Sequence, residues 1–164
     1  MIRSATPAFE LVRDFVNTLD VESGVDSLDG AWLATHGLTG ASVRDAVDVR
    51  EAIRELLLAN NGLPADVERA TATLDREALA SGLALRFVDG SATVEGEGLA
   101  PILAALAEAM QSDDWSRLKA CRAETCHWAF VDLAKNRSRS WCAMSVCGNR
   151  QKAQRYRRRH ARSA

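Results

Sequence analysis

The sequence predicts an α+β fold that is mainly α. A helical N-terminal domain over residues 1–116 carries one β-hairpin, and a small ββα-type module over residues 117–164 ends in a basic helix. Three observations predict it. Apolar residues recur at helical spacing through most of the first domain, one stretch near residue 85 alternates instead, and charge and cysteine are spread very unevenly. Residues 1–116 hold 8 Lys+Arg and 20 Asp+Glu, a balance of −12, whereas residues 117–164 hold 13 Lys+Arg and only Glu124 and Asp132, a balance of +11. All four cysteines fall in the basic segment. At 164 residues, 47% apolar and 26% charged, the chain has the size and composition of an ordinary globular protein, which argues against collagen-like, fibrous or wholly disordered classes.

The first helix is read over residues 9–19, where Phe9, Val12, Phe15, Val16 and Leu19 share one face. A polar stretch, VESGVDSLDG, leads to a short apolar segment around Trp32 and Leu33. His36, followed by Gly37, is a structural residue at a helix end. Ser42, with Asp45 three residues on, predicts a capped helix start. Val43, Val47, Ile53, Leu56 and Leu57 then line its face until Asn60-Asn61-Gly62. A further helix is expected from Pro64 through Leu79, because a proline suits the first turn. In LALRFVDGSATVEG the alternation and the Asp89-Gly90 turn predict a hairpin. A last helix spans about Leu99 to Met110, and Asp113 is expected to cap a helical continuation carrying Trp115 and Leu118.

This body shows no catalytic constellation. It has no glycine-rich phosphate loop and no cysteine, and its Asp and Glu side chains are scattered over polar helix faces. We therefore expect no enzyme. The longest apolar run, Leu99 to Ala107, is nine residues with Pro101 inside it, far short of the roughly 20 that span a bilayer. The opening MIRSATPAFELVRDF has no hydrophobic leader segment, so a cytoplasmic protein is expected, with no membrane partner.

Cys121, Cys126, Cys142 and Cys147 form two C-x4-C pairs separated by fifteen residues. Two such pairs flanking a hairpin-sized insert suit a tetrahedral site for one structural Zn2+. Two disulfides, an iron–sulfur cluster or four unligated cysteines are the alternatives, and the reducing cytosol and the adjacent basic helix favour zinc. With four thiols present, His127 is read as a neighbour of the site rather than a ligand. A module this small with so few apolar side chains needs a metal to hold one structure. Between the pairs, Trp128 to Asp132 and Arg139 to Cys142 are expected to form a hairpin around the Lys135–Ser138 turn. Trp128, Phe130 and Trp141 would fill its small core, Gly148 would make the turn out of the metal knuckle, and Asn149 would cap the last helix.

That helix carries Arg150, Lys152, Arg155, Arg157, Arg158 and Arg159, with Ala153, Tyr156 and His160 as the stripe expected to face the hairpin. Lys135, Arg137 and Arg139 add a second basic group in the turn. No carboxylate occurs in residues 133–164, so a polyanion is the counter-charge that best explains the cluster. These nine residues are the candidate nucleic-acid contacts, with duplex DNA the expected partner. Docking of the helix on the acidic body is the competing reading.

The segment Cys121 to Arg159, above all SRSWCAMSVCGNRQKAQRYRRR, resembles the CGNR zinc finger, whose motif stands here as Cys147-Gly148-Asn149-Arg150. The upstream LVRDFVNTLD and the Trp32-Leu33 segment are similar to the N-terminal ABATE domain found with that finger. The resemblance implies a stress-induced bacterial transcriptional regulator with the four cysteines as zinc ligands and DNA contacts after Cys147. Ser140 stands where the pattern leads us to expect an arginine. A homodimer through the body and a small-molecule ligand for it are further expectations. The rival is a ligand-sensing body whose finger is an RNA- or protein-interaction module.

Overall fold

The computed structural model describes residues 6–161, with the side chains of Arg155, Arg158, Arg159 and Ala161 outside the described set. The architecture is α+β and mainly α, with three separate two-stranded antiparallel sheets. Helix α1, Pro7–Val16, starts where the Thr6 hydroxyl accepts from the Phe9 N–H and Pro7 occupies the first turn, a position where its missing N–H costs nothing. It stops before Leu19, which instead enters β1, Leu19–Asp20, paired with β2, Val25–Asp26. The polar stretch after α1 is thus a tight hairpin, and Asp20 Oδ1 accepts from the Glu22 and Ser23 N–H groups inside it. Asp29 caps α2, Gly30–Thr35, and His36 ends it with its ring stacked on Trp32 at 3.7 Å.

Ser42 caps α3, Val43–Asn60, and its hydroxyl also donates to the Asp45 carboxylate at 2.7 Å. Helix α4, Val67–Ala80, begins later than the Pro64 start expected from sequence. Asp66 supplies the cap, accepting from the Arg69 N–H at 3.0 Å, as aspartate does at a preferred helix start. Strands β3, Ala84–Val88, and β4, Ser91–Glu95, form the predicted hairpin, with Asp89 and Gly90 both at positive φ in its turn. Helix α5, Ala100–Gln111, follows. The helical continuation expected after Asp113 is absent: Trp115–Arg117 make one 3-10 turn and Leu118 opens a strand. No helix among the described residues is long and apolar enough to cross a membrane.

The largest core cluster joins Phe9, Val12, Phe15 and Val16 of α1 to Ile53 and Leu57 of α3 and Ile102 and Leu106 of α5. Leu118, Ala120 and Ala129 belong to the same cluster. They come from β5, Leu118–Ala120, and β6, Ala129–Val131, which pair Leu118 with Val131, Lys119 with Phe130 and Ala120 with Ala129. The hairpin of the cysteine module therefore straddles the first cysteine pair, not the insert between pairs. Arg139 to Cys142 is not a strand. The physical reason is burial: β5 is apolar enough to pack under α3, whereas Arg139-Ser140 offers nothing to a core. Helix α6, Asn149–Ala161, closes the described chain.

Candidate metal centre

The first cysteine pair occupies the turn between β5 and β6. The Cys121 N–H donates to the Trp128 carbonyl at 2.9 Å, and the Cys126 N–H donates to the Ala123 carbonyl at 2.8 Å. His127 takes a positive φ of 48° to close this knuckle. The second pair lies on the loop after β6 and in a wide π turn, Met144–Gly148, that runs straight into α6. Turns of this wide kind are uncommon and cluster at functional positions. Cys121 and Cys147 are buried and the other two half-buried.

All four Sγ atoms lie within 4.8 Å of one another. Cys126 and Cys142 are 3.6 Å apart at sulfur, and Cys142 and Cys147 3.7 Å. A tetrahedron with Zn–S bonds of about 2.3 Å has S···S edges of about 3.8 Å. A disulfide needs about 2.05 Å, so none of these cysteines is bridged, and all four are free. His127 is not in the cluster.

Packed this closely, the thiols shift one another's ionisation. A hydrogen bond from the Cys126 thiol holds Cys121 down at about 5, against the burial that opposes ionisation. That bond, followed by burial, pushes the Cys126 thiol well above the ordinary range. Burial and then the charge on Cys121 push Cys142 up to about 12. Left to themselves, the crowded sulfurs do not all ionise, because like charges this close repel. A dication at their centre would reverse that balance for every thiol. The residues present fit one zinc ion, held by Cys121, Cys126, Cys142 and Cys147.

Side chains of the body clamp the knuckle. Asn17, at the C-terminal cap of α1, forms a reciprocal pair with Ala129, accepting from its N–H at 2.7 Å and donating to its carbonyl at 3.0 Å. Buried Arg54 donates to the His127 carbonyl at 3.0 Å, and Asn61 donates to the carbonyls of Ala120 and Ser140. The loop after β6 is held by an ion pair with no exposure to speak of. Lys119 Nζ meets Asp132 Oδ2 at 2.7 Å and also donates to the carbonyls of Arg137 and Arg139. None of Asn17, Arg54, Asn61 or this ion pair was a sequence candidate. The partners of Asn17, Arg54 and Asn61 lie 112, 73 and 59 residues away, so no local pattern marks them.

The segment after the last cysteine has a local reason for each residue. A Cβ on Gly148 would sit 2.4 Å from Met144 Sδ, so glycine lets the turn close. Asn149 does not act as the expected cap. It is already helical, and its amide donates back to the Ser145 carbonyl at 3.1 Å. Arg150 meets Glu22 of the β1–β2 turn at 2.5 Å. Helix α6 rests on the π turn, and Ala153, Tyr156 and His160 are exposed, so that stripe does not face the hairpin. The Tyr156 and His160 rings pack against each other at a tilt, with centroids 3.9 Å apart. Phe130 and Trp141 pack with the cysteines as expected, but Trp128 is exposed. The Trp141 indole N–H is buried without a partner among the described residues.

The basic candidates divide by environment. Lys135, Lys152 and Arg157 are exposed. Arg137 bonds Ser116 and lies 3.4 Å from Asp114. Arg139 donates to the carbonyls of Trp141 and Cys142 and lies over the Phe130 ring. The side chains of Arg155, Arg158 and Arg159 lie outside the described residues. Residues 117–160 match the family model of the CGNR zinc finger. No curated protein matches the chain.

Proposed function

We propose that this chain is a zinc-dependent, DNA-binding transcriptional regulator, pairing an ABATE-like body over residues 1–116 with its CGNR finger and acting in the bacterial stress response rather than as an enzyme. One observation carries the reading. Helix α6 is a basic rod seated on the metal-binding turn, with Lys152 and Arg157 exposed and no carboxylate after Asp132 to neutralise it. The body supplies Glu22 to Arg150 and Asp114 to Arg137, which leaves most of the positive charge for a polyanion. The zinc ion's role is to tie the turn that launches α6 to the knuckle, so that the helix is presented rigidly.

The test is the salt dependence of binding to duplex DNA, since each phosphate contact contributes about 0.9 to the slope of log K against log salt. Replacing Lys152 and Arg157 with Gln should flatten the slope by roughly two such contacts. A complex indifferent to salt, or unchanged in the double variant, would refute the reading. Competition with single strands and structured RNA tests the choice of duplex.

The observation that favours the sensing alternative is a cleft of about 630 Å3. It lies where α1 and α2 meet the finger, and its lining includes Arg13, Asp14, Trp32, Trp128 and Leu133. A metabolite that raises the melting temperature and loses that effect in Trp128→Ala would favour sensing.

A further inference from the structure

The β3–β4 hairpin is amphipathic, yet both of its faces are in solvent. Directly opposed residues of an antiparallel pair share a face. Leu85 opposite Val94 and Phe87 opposite Ala92 therefore form one face free of charge and of polar side chains. Phe87 is 77% exposed, Leu85 59% and Val94 52%. The other face carries Arg86 and Glu95, 3.3 Å apart, with Thr93 and Ser91 beside Ala84 and Val88. The charged and hydroxyl side chains of the two strands are all on this second face.

We infer that the Leu85–Phe87–Ala92–Val94 face is a self-association surface, on which the hairpin of a second copy of this chain packs face to face about a two-fold axis. Two features select another copy over an unrelated partner. The face is self-complementary: the largest side chain, Phe87, stands beside the smallest, Ala92, so a two-fold places each ring in the notch of the other copy. An isologous contact needs this match of a patch with itself. Its composition fits as well, because a charge-free face meets an identical one with no unpaired ion buried.

The area sets the strength. Phe87 offers on the order of 150 Å2, and the four side chains about 400 Å2 in each copy. Two copies thus cover about 800 Å2, below the standard interface size, which calls for a weak, reversible dimer with Kd in the micromolar range. Both hairpins would stack about 10 Å apart, the spacing of packed sheets.

Sedimentation equilibrium of the zinc-loaded full chain, from about 1 µM to about 300 µM, brackets that range. The mean mass should climb from 17.8 kDa towards twice that value. Phe87→Asp should raise Kd roughly 30-fold or more, as loss of a central anchor does, with zinc content and circular dichroism unchanged. Ala92→Phe should weaken association about tenfold by filling the notch. A chain monomeric throughout, a dimer that survives Phe87→Asp, or one tightened by Ala92→Phe would overturn the inference. The last result would mean unspecific apolar contact.

Discussion

Removing the Asp132 carboxylate should be among the most damaging single changes available in the finger. Asp132 is fully buried, receives Lys119 Nζ at 2.7 Å, and accepts from the N–H groups of Ala134 and Arg139 at 2.9 Å each. Asp132→Ala leaves the Lys119 ammonium buried with two carbonyl partners and no counter-ion, and leaves two backbone donors unmatched. Breaking a buried pair by deleting one member costs about 3–5 kcal/mol. The same loop, residues 132–139, carries Lys135 and the two arginines and leads to the second cysteine pair, so zinc affinity should fall with stability. Urea unfolding of the zinc-loaded chain measures the first quantity and competition with a chromophoric chelator the second. The double variant Lys119→Met with Asp132→Leu removes both charges and should recover the part of the loss that comes from the lone buried ammonium, though not the part from the unmatched Ala134 and Arg139 N–H groups. A single variant within about 1 kcal/mol of the parent, well under the range for a broken buried pair, or a double variant no better than the single, would refute this account of the loop.

Chelation of zinc, or Cys147→Ser, should remove folding free energy on the order of 10 kcal/mol from the metal site. Because Leu118, Ala120 and Ala129 sit in the main core, amide exchange should rise in α1 and α3 as well as around the cysteines. Gly148→Ala should cost about 1 kcal/mol through overpacking against Met144, and adding Met144→Ala should restore most of it in thermal melts. Asp26 is held below the ordinary carboxylate range: burial works to raise it, but the hydrogen bond and charge of Arg50 outweigh that. Its contribution is therefore complete above the unfolded value near pH 4 and lost as pH falls through the lower folded value. Asp26→Asn should destabilise by about 1 kcal/mol at pH 6, discounted for partial exposure, and in denaturant titrations the difference should shrink as pH falls below the unfolded value near 4.

Much of the fold was legible because its signals are local. Ser42 and Asp45 mark a helix start through bonds spanning three residues, Asp89-Gly90 marks a turn through two backbone angles, and the cysteine spacings mark knuckles that close within six residues. The same locality explains the errors. Pro64 signalled a helix that Asp66 in fact caps, and Trp115 to Leu118 kept a helical pattern while belonging to a turn and a strand, because the core between α3 and α5 rewards an extended Leu118. The pairing of β5 with β6 across the first cysteine pair depended on which strand could be buried under α3, a choice periodicity does not encode.

What the residues determined unaided was the inventory: a mainly helical acidic body, four thiols in two pairs, and an arginine-rich final helix without counter-charge. Only tertiary structure decided how these parts meet. Asn17 and Ala129 lie 112 residues apart, and Glu22 and Arg150 lie 128 apart, yet such contacts clamp the metal knuckle to the body and hold the first turn of α6. Contact energies of this kind arise from burial and the matching of donors with acceptors after collapse. No local pattern of side chains carries that information.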